Sequence, residues 1–386
     1  MIYLDYAAAT PVSKRAKAAM LPYFDEKFFN PSAAYLPAVE TRHEYEAAKD
    51  TIAHVIGAKG VDLVITSGAT EANSLVFAAV PDDAEVLISA AEHPSIRANA
   101  ALKNYKVIAV DQTGRIDLDD FKKKLSPKTR LVSVCLASSE LGTIQPLPDI
   151  SRIIADERMR RASAGEKTPL FFHSDASQGL GLMEVKVARL GVDLLTINAA
   201  KVYGPKGIAA LYVGHQVRLS PQLYGGGQEM GLRSGTENVP ATIAFAAAVT
   251  EAEKHLNTER KRLQQLTTKF HKLLAAELKD DIIFLGKDKT RLPNFMPISL
   301  PGLDAERLIF ALEMRGIYVS TGAACAASKG EKSATLTAIG LDDKAIAGSL
   351  RITLGAPTTE ADIEEAAKNI IEVVRAEQKR LTNDRA

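Results

Sequence analysis

The chain holds several groups of polar residues at positions where they could do chemistry. Lys201 lies in Asn198-Ala-Ala-Lys201-Val-Tyr-Gly-Pro-Lys-Gly207, just past an apolar run and among small residues. Desolvation at a strand end favours the neutral amine and frees it to attack an aldehyde as a Schiff base. A surface lysine beside Lys206 is the other reading. Asp175, in Phe171-Phe-His-Ser-Asp175-Ala-Ser-Gln178, closes a second apolar run. In open α/β sheets ligands gather at the carboxyl ends of strands. A buried carboxylate there needs a cation, and a protonated ring nitrogen would serve. Asp175 also reads as the N-cap of the next helix. In Thr66-Ser-Gly-Ala-Thr-Glu71, Gly68 permits a tight turn. The amides of Ala69 and Thr70 would then open a helix, where the dipole favours an anion, and the Thr70 hydroxyl adds a donor. An ordinary capped helix start accounts for the same residues.

A Schiff-base lysine, an anion for a pyridine nitrogen and a phosphate cradle are the parts that pyridoxal phosphate needs. His93, in Ser89-Ala-Ala-Glu-His-Pro94, follows one predicted strand and precedes a helix. There it could lie over the cofactor ring and shuttle protons. Cys325 sits in TGAACAASKG, residues 321–330, with no bulky neighbour. A packing cysteine keeps apolar company, so this one raises the question of whether its sulfur reacts. Cys135, in Arg130-Leu-Val-Ser-Val-Cys-Leu136, falls in a strand pattern and reads as buried packing.

The elements that must position these residues alternate. Short apolar runs at 63–66, 85–89, 106–110, 130–136, 170–174, 194–198 and 208–213 predict buried strands. Helical patterns at 70–80, 94–103, 117–124 and 148–162 lie between them, which is the order of an α/β sheet covered on both faces. After Asn238 a long charged helix is expected to about Lys279. Strands near 297–300, 317–319 and 351–354, with helices at 305–315 and 360–380, then read as a smaller α+β unit. Residues 156–167 (DERMRRASAGEK) read as a solvated loop or helix end.

Composition narrows the functional classes. The 386 residues are 46% hydrophobic and 25% charged, ordinary for a globular protein with room for two domains. A net charge of +1 leaves no footprint for nucleic acid or an anionic membrane. No apolar run is long enough to span a bilayer. Two cysteines make neither a disulfide framework nor a metal knuckle, so no metal is expected and a reducing, cytoplasmic setting is.

The motifs, in order, are YLDYAAATPV, NPS, TSGATEAN, AEHPSI, SELGTIQP, HSDASQGLG, AAKVYGPKG, GGGQEMGLRSGTENV, STGAAC and LRITLG. Over nearly the whole chain this series resembles the class V aminotransferase-fold family, and within it the cysteine desulfurases of the NifS/IscS type. The resemblance implies a fold-type I architecture and a homodimer. Its large cofactor-binding domain would span 13–255, with a mostly parallel seven-stranded sheet. A small domain of 1–12 and 256–386 would carry the cysteine loop. It implies that Lys201 binds the aldehyde carbon of pyridoxal 5'-phosphate, that Asp175 pairs with the pyridinium, and that Gln178 bonds the ring hydroxyl. His93 would stack and transfer protons, and Ala69 and Thr70 would hold phosphate. Thr236 would reach the phosphate of the neighbouring subunit, and Arg351 would grip the substrate carboxylate. L-cysteine would be converted to L-alanine, its sulfur passing to Cys325 as a persulfide and then to an acceptor protein such as an iron–sulfur scaffold. A loop of small residues suits such a carrier.

Several positions depart from the family's pattern. Where SGHK is usual, Asn198 replaces the serine and Ala200 the histidine. Ser139 stands for the second Asn of NNEIG, Met230 for Arg in GGGxERG, and Ala323 for a common Ser; the His after NPxS is missing. Asn198 can still donate to phosphate, and Ser139 would reach the cofactor hydroxyl and the substrate carboxylate through water. Each lost hydrogen bond costs roughly 0.5–1.5 kcal/mol, so two or three weaken cofactor binding roughly tenfold to a few hundredfold. Two other readings stay open: another class V enzyme, such as an aminotransferase or lyase, and a non-catalytic dimer of the same fold.

Overall fold

The computed structural model describes residues 1–286, 288–322 and 332–383. After β1 (Ile2–Tyr3) come β2 (Leu63–Thr66), β3 (Glu85–Ser89), β4 (Asn104–Ile108), β5 (Thr129–Ser133), β6 (Phe171–Asp175), β7 (Leu194–Asn198) and β8 (Ala209–Val213). Strands β2 to β8 form a seven-stranded sheet in the order β2-β8-β7-β6-β5-β3-β4. All pairings are parallel except the two made by β8, which runs against β2 and β7. Six strands therefore end at the same edge. Helices cover both faces, so β2, β3 and most of β5, β6 and β7 are buried throughout, which explains their unbroken apolar runs.

A second sheet joins β9 (Ile283–Phe284), β10 (Phe295–Ser299), β12 (Ser320–Thr321) and β13 (Ser349–Thr353) in the antiparallel order β12-β13-β10-β9. The first strand, β1, pairs in parallel with β11 (Ile317–Tyr318), so the start of the chain packs on this second unit. The core of that unit includes Leu4, Phe270, Met296, Ile298, Leu350, Ile352 and Ile370. The 40-residue helix Val239–Leu278 serves both cores. Val239, Phe245 and Val249 enter the core of the large sheet, and Leu263, Phe270 and Leu274 enter the other. No helix among the described residues is long and apolar enough to cross a membrane.

Several expected boundaries shift. The strand expected at 130–136 stops at Ser133, so Cys135 lies beyond it. The Cys135 amide donates to Glu92 Oε1 at 2.7 Å, and the ladder toward β3 ends there. The helix expected at 148–162 runs from Leu147 to Ser163, so residues 156–163 form its end and the loop begins after it. Arg161 in the helix is buried, donating to the carbonyls of Thr129 (2.9 Å) and Ser126 (2.8 Å). The helix Leu36–Val55 was not foreseen, because alanine, threonine and lysine fill much of its buried face and blur the apolar period.

Candidate active site

A cavity of about 620 Å³ opens where the carboxyl ends of the large sheet face the second unit. The turn after β2 brings Gly68, Ala69 and Thr70; the one after β3 brings Glu92 and His93; the one after β5 brings Cys135, Ser139 and Glu140. The end of β6 brings Asp175, Ser177 and Gln178, and the end of β7 brings Asn198 and Lys201. Arg351 enters from the middle of β13 in the second unit. Residues far apart in sequence thus meet at the crevice that this sheet topology provides.

Nine of the expected residues line this cavity: Ala69, Thr70, His93, Ser139, Asp175, Gln178, Asn198, Lys201 and Arg351. Thr236 is exposed and does not line it. Cys325 and Ala323 lie outside the described residues. His173 is fully buried between Ser133 Oγ (2.9 Å) and Thr196 Oγ1 (3.1 Å), and burial lowers its pKa to about 4 against the pull of Asp175.

Lys201 sits in the short turn Ala199–Lys201, half-buried, and its Nζ donates to the Ala8 carbonyl. Asn198 caps that turn, its Oδ1 accepting from the Ala200 amide at 3.0 Å, which leaves Nδ2 for the cavity. Tyr203 follows with a left-handed φ of 63°, a costly conformation for a bulky side chain. Three bonds hold it: its amide donates to Thr10 Oγ1 (2.9 Å), its carbonyl accepts from the Ser13 amide (2.9 Å) and its hydroxyl accepts from the Ala356 amide (2.6 Å). The start of the chain also fixes Gln178, whose Nε2 donates to the Ala7 carbonyl at 3.0 Å.

Asp175 is buried, and its oxygens accept from Asn73 Nδ2 (2.9 Å) and the Ser177 amide (2.9 Å). Among the described residues it has no salt-bridge partner. Such a carboxylate suits a cationic ring nitrogen. The helix Ala69–Ala78 begins at Gly68, whose carbonyl takes the Ala72 amide, so the amides before it have no partner within the helix. An added Cβ at Gly68 would meet nothing within 4 Å, so the approach to that helix end is open. A lysine, a buried carboxylate and a helix N-terminus around one cavity fit pyridoxal phosphate.

Arg351 donates from Nη1 to the Ser139 carbonyl (3.0 Å) and from Nη2 to Asp5 Oδ1 (2.8 Å), while its buried Nε has no partner. His93 caps the helix Pro94–Ala100, its Nδ1 accepting from the Ser95 amide at 3.1 Å. Burial lowers its pKa; Asp175 opposes this, and Lys201 and Arg351 add to it. Glu92 is buried with one oxygen unpartnered. Burial lifts its pKa to about 8, the Cys135 amide opposing and Asp175 adding. Cys135 is buried as expected, yet it lines the cavity; burial, Glu92 and Asp175 push its thiol pKa far above the usual range.

Asp5, Asn73, Glu92, Ser95 and Glu140 were missed by the sequence reading. Glu92 was within reach, since it stands beside His93 at the end of a predicted strand.

The aminotransferase class-V family profile matches residues 2–365. The chain is 36% identical over 387 residues to cysteine desulfurase IscS of Dictyoglomus turgidum, covering 97% of this chain and 95% of that one. It is 38% identical over 390 residues to cysteine desulfurase IscS 1 of Archaeoglobus fulgidus, covering 97% and 98%. Among solved structures, a NifS-like protein superposes with a TM-score of 0.88 at 29% identity, covering 97% and 99%. A NifS-like protein from Rickettsia africae gives 0.87 at 30% identity, with the same coverage.

Proposed function

Because the chain belongs to the class-V aminotransferase family, and within it to the cysteine desulfurases, we propose that its strand-end cavity takes sulfur from L-cysteine with pyridoxal 5'-phosphate as cofactor. The observation that carries the cofactor assignment is Asp175, a buried carboxylate with two hydrogen bonds and no salt-bridge partner among the described residues. When bound, the cofactor withdraws electrons from the substrate's carbons and so loosens the carbon–sulfur bond. Lys201 Nζ would hold its aldehyde carbon, Asp175 its ring nitrogen and Gln178 its ring hydroxyl. The Ala69 and Thr70 amides, the Thr70 hydroxyl and Asn198 Nδ2 would hold its phosphate. His93 lies against the ring in this reading and handles protons at Nε2.

Arg351, which lines the cavity, would take the substrate carboxylate, with Ser139 nearby. The Cys325 thiolate then attacks the substrate sulfur. A sulfur–sulfur bond forms as the carbon–sulfur bond breaks. The carbon keeps the bonding electrons and takes a proton, leaving alanine and a persulfide. A thiol of pKa about 8.5 needs a reducing setting and help to ionise, in keeping with a cytoplasmic location.

We also propose a homodimer. Phe24, Phe28, Tyr35, Leu36 and Tyr224 are exposed, more apolar surface than a monomer comfortably shows water, and exposed Thr236 would serve the partner's phosphate. Residues 13–255, and 1–12 with 256–386, remain our proposed domains. The persulfide would pass to an acceptor protein such as an iron–sulfur scaffold.

One sample tests the reading. The absorbance of the cofactor-loaded protein is recorded before and after L-cysteine, and the peptide bearing Cys325 is weighed. A responding band with one sulfur atom added at Cys325 is expected. A responding band with unmodified Cys325 means a different class V reaction. No band with excess cofactor overturns the assignment.

A further inference from the structure

We propose that Asn73 and Ser95 are positioning residues that fix the tautomer of His93, keeping Nδ1 bare and the ring proton on Nε2. This rests on the reading that the cavity is the reaction site. Asn73 is fully buried on the helix Ala69–Ala78, and Ser95 is buried in the first turn of the helix Pro94–Ala100. Their bonds run in one direction from Asp175. An ionised carboxylate only accepts, so the Asn73 atom 2.9 Å from Asp175 Oδ2 is the amide nitrogen, Nδ2. The second hydrogen of that nitrogen goes to Ser95 Oγ, also at 2.9 Å. Ser95 Oγ is then an acceptor on that side, and its own hydrogen is left for His93 Nδ1 at 2.8 Å.

The Ser95 backbone amide points at the same ring nitrogen from 3.1 Å, and an amide can only donate. A hydrogen on Nδ1 would face the hydroxyl and the amide hydrogens together. The neutral ring therefore carries its hydrogen on Nε2, the nitrogen left for the cavity that His93 lines. A second proton on Nδ1 is opposed by the same two donors. The resting ring thus offers the cavity a hydrogen-bond donor. To act as a base at Nε2 the ring would have to carry its hydrogen on Nδ1, against the Ser95 amide as well as the hydroxyl. The arrangement leaves Asn73 Oδ1 buried without a partner. A side chain kept only for packing would be apolar here.

The test reads the ring directly. Full-length protein labelled with ¹⁵N-histidine is titrated by NMR, with and without cofactor. A His93→Gln variant identifies the signal among the seven histidines. Wild-type His93 is expected to show hydrogen on Nε2 alone and to titrate below a free histidine. Ser95→Ala keeps the backbone amide and removes the hydroxyl, so it should raise the titration by about one pH unit, a tenfold change in proton affinity. Ser95→Thr restores the hydroxyl and should return the wild-type curve. The acidic limb of kcat/KM should move with the NMR titration in each variant, which a packing defect would not produce. Hydrogen on Nδ1 in the wild type, or coincident titrations of wild type and Ser95→Ala, overturns the proposal. If the tautomer is as stated and L-cysteine is not a substrate, the functional reading fails and this one stands.

Discussion

At the scale of single residues, Asp5 has two opposed effects on Arg351. It orients the guanidinium through a 2.8 Å bond, and it places a negative charge beside the position proposed for the substrate carboxylate. The two effects can be separated. Asp5→Asn keeps an acceptor and removes the like charge, so the KM for L-cysteine should fall about threefold with kcat little changed. Asp5→Ala removes the brace as well and frees the buried guanidinium, and KM should rise about tenfold. Steady-state kinetics of both variants checks the pair, and equal shifts in one direction would refute the opposition. Lys201, Asp175 and Thr70 were legible in the sequence because each carries its own local signal, an apolar run followed by a turn. Asp5, Asn73 and Ser95 were not, because their meaning depends on partners elsewhere in the chain. Asn73 is an unremarked helix residue until Asp175, 102 positions on, gives it a direction.

At the scale of elements, the strands and the long helix were readable from apolar period, whereas polar anchoring was not. Strand β7 and the helix Val239–Leu278 fall at or within a residue of their expected bounds. The helix Leu36–Val55 was missed, and it is held by a buried charge that no period reveals. Lys49 and Tyr45 of that helix meet Glu229, which also accepts from the Ile65 amide of β2 at 2.7 Å. The helix Leu147–Ser163 is tied down by buried Arg161 and also carries ion pairs within its own length. Arg160 first, and Arg161 with it, hold the Glu157 carboxyl down to about 2 from an ordinary 4.5. A carboxyl depressed by folding stabilises above its unfolded pKa, and the effect is lost as pH falls through the folded value. Glu157→Gln should therefore be less stable than wild type at pH 7. The gap should narrow from about 4.5 downward and close near 2. Urea midpoints across that range measure it, and a constant gap would refute the assignment.

At the scale of the whole molecule, two cores share one helix, and its middle, around Glu253, Lys254 and His255, is exposed. A proline there breaks the connection without touching either core, at a cost of about 3 kcal/mol. His255→Pro should lower the midpoint of a single calorimetric transition, because the Arg351–Ser139 and Tyr203–Ala356 bonds still join the units; an unchanged midpoint would refute the helix's part in the joint. The site depends on this joint, because Lys201 and Asp175 belong to one unit and Arg351 to the other. The bond between Asp5 and Arg351 spans 346 residues of chain. On a ribosome adding roughly 5–20 residues per second, Asp5 emerges roughly 20 to 70 s before its partner exists. Through that interval the opening segment has neither β11 nor β13 to lie against. The large sheet can form first, and the cavity is completed only after β13 has been made and Arg351 can meet Asp5.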